Sequence, residues 1–574
     1  MIGPDRGHSA GSSCLWAPVR LSRAQYLLTL LAAFSVAVAL RMGPLFWSPL
    51  PFNPDGIVYA GLVRETIATG HLPLDGLPAD SFHFTTMLAI WETVVGHPSR
   101  FLSQPVIAIV GALPSLVAAV FAHRLTGRLG WSLSGRRLAG SLASLLLAVD
   151  GVYLHRSMPV DEQTVGLLVV PLAALVLARS MLNDSRRWYV VLGALLVSLP
   201  PLHNLDSMVA LFALVLVVCV RRVSVRTLLV GGLVALGFLG YFVGYSWGIA
   251  ALTPATVIQS QRISYAPGLL AAWLILVGLL LARFSRLGTR TQRLLLTGTF
   301  ASFVAIAAVN AVRPVFPGMG TTPDAVVLLV VPLLIPLTIG AWAVPLGDRS
   351  MPEWLALLAL LGAGFAIAGM SFTATLTPEY YNTAYRVQTF LHLPIAVFVT
   401  IGIGTLLDRM GRVVPRQSWR QGVSTVAVVG VVICMAISIP VAFAGLEYLP
   451  YKGVTTSGEF AAAEFSVTSL PEWTSDDHIS RVSRYFSPGN SGTNTTLHRV
   501  APVFDWIEGG PPPGCPTVVQ SSWTTTGAQV FPQPPIVIDD GRLWKYMHAN
   551  DRIYSNSAPD PLTIVRPPGL SRSC

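Results

Sequence analysis

Four short clusters of ionisable residues in this chain have the make-up of a site that handles phosphate and protons. The first is Phe52-Asn53-Pro54-Asp55-Gly56. Asn-Pro and Asp-Gly are turn-forming pairs; the same residues also suit a carboxylate, Asp55, aimed into a cavity. The second, Met158-Pro159-Val160-Asp161-Glu162-Gln163, sets two acids side by side. Carboxylates at a helix start are stabilised by the helix dipole, but adjacent acids equally suit a metal site or a general base. In the third, Pro201-Leu202-His203-Asn204-Leu205-Asp206, Asp206 can cap the helix that follows and His203 can satisfy backbone groups of the turn. The fourth, Thr377-Pro378-Glu379-Tyr380-Tyr381-Asn382-Thr383-Ala384-Tyr385-Arg386, places one arginine behind a run of tyrosines. Such an arginine either snorkels to lipid headgroups within an aromatic belt or grips a phosphate bidentately. Arg262 is a weaker candidate for the same task.

The elements that must hold these residues are set by composition. Of 574 residues, 52% are apolar and 11% charged, less than half the roughly 25% charge of a soluble protein. That excludes a string of soluble domains, a disordered chain, a disulfide scaffold and a coiled coil. The net charge of +10 is carried almost wholly by arginine, with lysine only at Lys452 and Lys545. In a membrane protein such charge is topological and does not imply nucleic acid.

A helix needs about 20 apolar residues to cross the hydrocarbon. Thirteen apolar runs are found, the first at Gln25–Leu40 and the last at Val426–Leu446. The fifth and sixth, Trp188–Leu199 and Met208–Val220, are short and joined through Pro200-Pro201, so they read as a helical hairpin. With the N-terminus inside, 22 arginines fall in cytoplasmic loops and 7 in the opposite loops, leaving the C-terminal tail aside. That asymmetry is the positive-inside signature, and an odd span count puts the C-terminus outside. All four clusters then lie at exterior ends of spans, where ionisable residues are functional candidates.

The sequence therefore predicts an all-α polytopic membrane bundle of about thirteen transmembrane helices, N-terminus in and C-terminus out, with a small exterior α/β C-terminal domain. Residues 1–24 form a cytoplasmic segment, 25–446 the transmembrane domain and 447–574 the exterior domain. Of the exterior loops the first, 43–103, is much the longest, and within it Ile57–Ala68 is amphipathic enough to lie along the membrane surface. In the exterior domain Glu459–Ser487 reads as partly helical, while Thr517–Gln520, Ile536–Ile538 and Leu562–Val565 read as strands. Cys515 and Cys574 share that domain and can pair as a disulfide.

Carboxylates and an arginine beneath an exterior domain suit transfer from a lipid-linked phosphate donor. The arginine would steady the leaving phosphate, and a carboxylate would take the acceptor's proton. In this plan the chain resembles the GT-C membrane glycosyltransferases, which use polyprenyl-phosphate sugars. Catalytic subunits of the N-glycosylating oligosaccharyltransferases have a similar arrangement of thirteen spans and an exterior domain. Their first-loop acidic motif resembles Asn53-Pro54-Asp55 with the following Ile57–Arg64 and Gly70–Pro73 stretches, and their second resembles Asp161-Glu162. The resemblance implies Asp55 as the prime catalytic carboxylate, Asp161 and Glu162 assisting, and Arg386 on the donor phosphate. His203, Asp206 and Arg262 stand as secondary candidates. It further implies a polyprenyl-phosphate-linked sugar, membrane lipids and a glycan, lipid or protein acceptor as partners, with Mg or Mn if the chain is oligosaccharyltransferase-like. The WWDYG signature of those enzymes is replaced here by Ser522-Trp523-Thr524-Thr525-Thr526-Gly527, which favours a monosaccharide-transferring relative over peptide N-glycosylation. A secondary transporter or lipid-glycan flippase is the rival from another class. Its charges would sit near the bilayer midplane in two related halves, and neither feature is visible.

Overall fold

The computed structural model describes residues 21–574 except 75–76, 79, 182–185, 222–224, 253–265, 318, 414–416, 445–452, 488–496, 532, 558–559 and 570–573. Arg262 lies outside the described residues. The chain is mostly helical, and among the described residues ten helices are long and apolar enough to cross a membrane. The difference from thirteen has a physical origin in three places. The third apolar run is broken into α5 (Leu133–Ala148) and α6 (Gly151–Ser157), which meet at 66°. The fifth and sixth are α8 (Arg186–Ser198) and α9 (Asn204–Val220), of 13 and 17 residues. At 1.5 Å per residue these reach about 20 and 25 Å, short of a hydrocarbon layer about 30 Å thick. Leu199, Leu202, His203 and Asn204 at the tip between them are buried in protein, the setting in which irregular backbone within an apolar bundle is stable.

The bundle packs around the helix Pro352–Thr373, which is buried along nearly its whole length. It lies against α9 and against α7 (Gln163–Ser180). At its start Glu353 is buried and paired with Arg179 at 2.7 Å and Arg128 at 2.9 Å.

The first loop contributes α2 (Pro54–Thr69) and α3 (Phe82–Val95) before α4 (Ser99–Arg128). Asn53 caps α2 from a left-handed backbone conformation, φ 92°, with its side chain accepting from the Asp55 N–H. Pro54 follows at the first turn, where its missing N–H costs nothing. The expectation of a helix on the membrane surface is corrected here: α2 is covered on two sides. Tyr59, Leu62 and Val63 pack with Phe84 of α3 and with Ile107 and Leu202 of the bundle. Ile57 and Ala60 join Trp473, Ile479 and Val482 in the core of the C-terminal domain. A helix that serves two cores has no single apolar stripe, so periodicity alone misplaces it.

The C-terminal domain is a five-stranded mixed sheet in the order β2-β1-β3-β5-β4, built from β1 (Glu472–Thr474), β2 (Leu497–Arg499), β3 (Thr517–Gln520), β4 (Asp551–Ser555) and β5 (Leu562–Arg566). β1 runs parallel to β2 and β3, and β5 runs antiparallel to β3 and β4. Ile536–Ile538 forms no strand beyond one bridge between Ala528 and Ile536. Cys515 and Cys574 are joined by a disulfide that ties the chain end to the approach of β3. Trp523 is wholly buried with Trp506 and Tyr546 in the domain core.

The domain is fastened to the bundle by backbone as well as side chains. The Asn53 N–H donates to the Gly453 carbonyl at 2.7 Å, and the Ser48 hydroxyl to the Thr455 carbonyl at 2.5 Å. Arg64 donates to the Tyr485 carbonyl at 2.8 Å while its guanidinium covers the Tyr485 ring. Gly61 lets the two backbones meet, since a β-carbon there would come within 2.8 Å of the Tyr485 Cα.

Candidate functional site

The site forms where the ends of several helices are drawn together under the C-terminal domain. Its frame is held by Gln104 of α4. The Gln104 amide accepts from the Phe52 N–H at 2.9 Å and donates to the carbonyls of Arg41 at 2.9 Å and Met158 at 3.0 Å. The Phe52 carbonyl in turn accepts from the Val160 N–H at 3.0 Å. The first and second acidic clusters therefore run side by side, three residues upstream of Asp55 and one upstream of Asp161.

Asp161 and Gln163 form a clamp for two arginines. One Asp161 oxygen accepts from the Gln163 N–H at 2.9 Å; the other stands 3.2 Å from Arg156 and 3.4 Å from Arg386. The Gln163 carbonyl oxygen accepts from Arg156 at 2.7 Å and from Arg386 Nε at 2.8 Å, and its amide donates to the Arg386 backbone carbonyl at 3.1 Å. Arg386 sits near the end of the helix Pro378–Val387. Its guanidinium turns inward to these partners, with a side chain only 16% exposed, so the snorkelling alternative is not the one adopted.

The other face of the clamp is His203 and Glu162. His203 Nε2 lies 3.0 Å from an Arg386 nitrogen and 3.8 Å from a Glu162 oxygen, and Nδ1 lies 3.1 Å from Asp206. The second Glu162 oxygen accepts from the Tyr59 hydroxyl at 2.5 Å. Asp206 does not cap α9. The cap residue is His203, without a side-chain bond, and the Asp206 carboxylate is fully buried in the bundle.

Charge is sorted within this cluster. Burial pushes the Asp161 carboxyl up, but Arg386, Arg156 and His203 outweigh it and hold it well below the usual carboxylate range. Burial, then the neighbouring Asp161 and Asp80, raise Glu162 well above its ordinary value. Tyr59 is raised by burial, then by Glu162, Asp161 and Asp55 in turn. Two adjacent carboxyls are thus driven apart, one toward an anion and one toward a proton carrier.

Asp55 lies one helical turn before Tyr59, on the same face of α2. Its carboxylate is paired at 2.5 Å with Arg481, on the helix Asp477–Ser483 of the C-terminal domain. Arg481 also reaches Asp477 at 2.7 Å and covers the Phe531 ring. Asp161, Glu162, His203, Asp206 and Arg386 are contiguous, and Asp55 borders them through Tyr59. Cys515 and Cys574 belong to the C-terminal domain and lie outside the cluster.

Sequence reasoning missed Arg156, Gln163, Tyr59 and Arg481. Arg156 is one of the seven arginines counted in the exterior loops, and no local spacing announces the other three. For a divalent metal of the sort the resemblance implies, Asp55 and Asp161 fit poorly as ligands, because the charge of each carboxylate is already neutralised by an arginine ion pair. Asp80, Glu162 and His203 fit better, with one donor atom from each lying within 4.8 Å of the others. Comparison with protein-family models finds none that matches the chain, and a search of curated proteins finds no significant relative.

Proposed function

We propose that the protein is a membrane glycosyltransferase that moves a sugar from a polyprenyl-phosphate donor to an acceptor on the non-cytoplasmic side. The observation that carries this reading is the meeting of Arg386, Arg156, Asp161, Glu162 and His203 at one end of an apolar bundle, beneath a folded domain. Two guanidiniums offer the planar, doubly hydrogen-bonding geometry that phosphate oxygens accept. An inward-facing arginine among apolar helices can receive a phosphate whose lipid tail remains in the membrane.

In the transfer, the acceptor oxygen bonds to the anomeric carbon as the bond from that carbon to the phosphate oxygen breaks. The electron pair leaves with the lipid phosphate, where Arg386 offsets the charge that develops. The acceptor's proton passes to a carboxylate, Asp55 by the resemblance, and a single displacement inverts the sugar. Arg481 pairs with the Asp55 carboxylate and links this step to the C-terminal domain. Burial of Trp523 leaves its ring no open face for a peptide sequon, consistent with an acceptor other than a glycosylation sequon. A divalent ion, if bound, would supply Lewis acidity at the phosphate, held by Asp80, Glu162 and His203.

The test is transfer of sugar from a synthetic polyprenyl-phosphate donor by protein in lipid vesicles. Asp55→Asn should abolish transfer with membrane insertion intact, and Arg386→Ala should weaken donor binding far more than it lowers the melting temperature. Unchanged transfer by the first variant removes Asp55 from the mechanism; lipid-glycan translocation without transfer overturns the enzyme reading in favour of a flippase.

A further inference from the structure

Two side chains at the site are prepared as ligands in a way that neither helix capping nor phosphate binding requires. Arg386 can only donate, so the His203 Nε2 that faces it at 3.0 Å presents its lone pair. The ring proton is then on Nδ1, where Asp206 stands 3.1 Å away as a charge partner without lining up for a hydrogen bond. Asp206 is 0% exposed, and its space is made by Gly166, where a β-carbon would fall 1.6 Å from the carboxylate. A buried carboxylate is costly unless it is paired, and the Asp206 carboxylate is paired with this imidazole. Glu162 is oriented likewise: Tyr59 holds one of its oxygens, and the other faces His203. Carboxylate partners behind a histidine and hydroxyl partners behind a carboxylate are the usual outer support of metal ligands.

The geometry points to a divalent-cation site formed by Asp80, Glu162 and His203. The three donors come from separate segments: the turn ahead of α3, the cap of α7 and the cap of α9. Ligands about 2.1 Å from a tetrahedral ion stand about 3.4 Å apart. His203 and Glu162 are already 3.8 Å apart, and all three donor atoms lie within 4.8 Å. One imidazole nitrogen with two carboxylate oxygens selects Mn2+ or Zn2+ over Ca2+. Three protein ligands leave a position for water or a phosphate oxygen. Arg386 gives up Nε2 when the ion binds but keeps its bonds to Gln163. Neither Asp55 nor Asp161 is a ligand, so of the two acidic motifs only Glu162 takes part.

Binding of the ion does not depend on the proposed transfer reaction, so it is measured without a sugar donor. Full-length protein in lipid nanodiscs, stripped with chelator, is titrated with Mn2+ by calorimetry and followed by electron paramagnetic resonance. One Mn2+ per chain is expected, with a rise in melting temperature. His203→Gln and Asp80→Asn should each weaken binding about 100-fold, Asp206→Asn about 10-fold, and Asp55→Asn not at all. Asp80 lies on a partly exposed turn, so its variant tests the site even if His203→Gln does not fold. Absence of stoichiometric Mn2+, binding retained by both ligand variants, or binding lost with Asp55→Asn overturns the site.

Discussion

The carboxylate of Asp206 occupies the volume that a side chain at residue 166 would fill, so Gly166 of α7 and Asp206 of α9 are a matched pair. The room for a buried charge on one helix is created by the absence of a β-carbon on another. Gly166→Ala should therefore displace Asp206 and loosen His203, at an overpacking cost of about 1–3 kcal/mol. Thermal unfolding should register the loss, and Gly166→Ala combined with Asp206→Ser should recover part of it. Equal destabilisation in the single and double variants would separate the two residues.

Asp161 is the anion between Arg156 and Arg386. Replacing it with Asn leaves two mostly buried guanidiniums without their counter-charge, and breaking such a pair costs about 3–5 kcal/mol. The sign with pH follows from the depressed carboxyl. Its contribution to stability is full above the unfolded carboxylate value and disappears as pH falls through the lower folded one. The wild type should keep this part of its stability into strongly acid solution, and Asp161→Asn should lack it at every pH. Melting curves of the two proteins from neutral to acid pH check this.

Asp55 and Arg481 couple the bundle to the C-terminal domain through a partly exposed ion pair. Solvent screening keeps its worth modest. Asp55→Asn, Arg481→Gln and the double variant should form a cycle with a coupling of about 0.5–1 kcal/mol in thermal unfolding. Additive single effects would show that the contact carries no energy.

Gly61 is where the backbone of residues 484–485 lies against α2. Gly61→Val should lift the domain from the helix, because backbone cannot move aside as a side chain can. Limited proteolysis should then release a fragment of the C-terminal domain that the wild type protects. An unchanged digestion pattern would contradict the close approach.

What the sequence discloses, and what it hides, has a physical division. Long apolar runs are legible because hydrocarbon asks the same of every residue in them. The neighbourhood of Asp161, Glu162, His203, Asp206 and Arg386 is legible because charges beside apolar runs are few and fall at the same ends of helices. The placement of α2 is not, since two apolar faces look the same whether one meets lipid or a folded domain. β1 and β2 span three residues each, too few to set up an alternation. Arg481 meets Asp55 across 426 residues, and no local pattern encodes a partner so distant. Asp80 is one of several acids in the long first loop, distinguished only once folding brings it to Glu162 and His203.

The sharing of α2 between two cores bears on the order of assembly. During synthesis the helix emerges hundreds of residues ahead of Ile479 and Val482, which later cover its second face. Until that part of the chain arrives, that face stays bare and Asp55 has no Arg481. A ribosome-bound chain that has not yet delivered residues 477–483 would hold α2 with one face covered and the other open, so the two sides of this helix are completed at separate stages of synthesis.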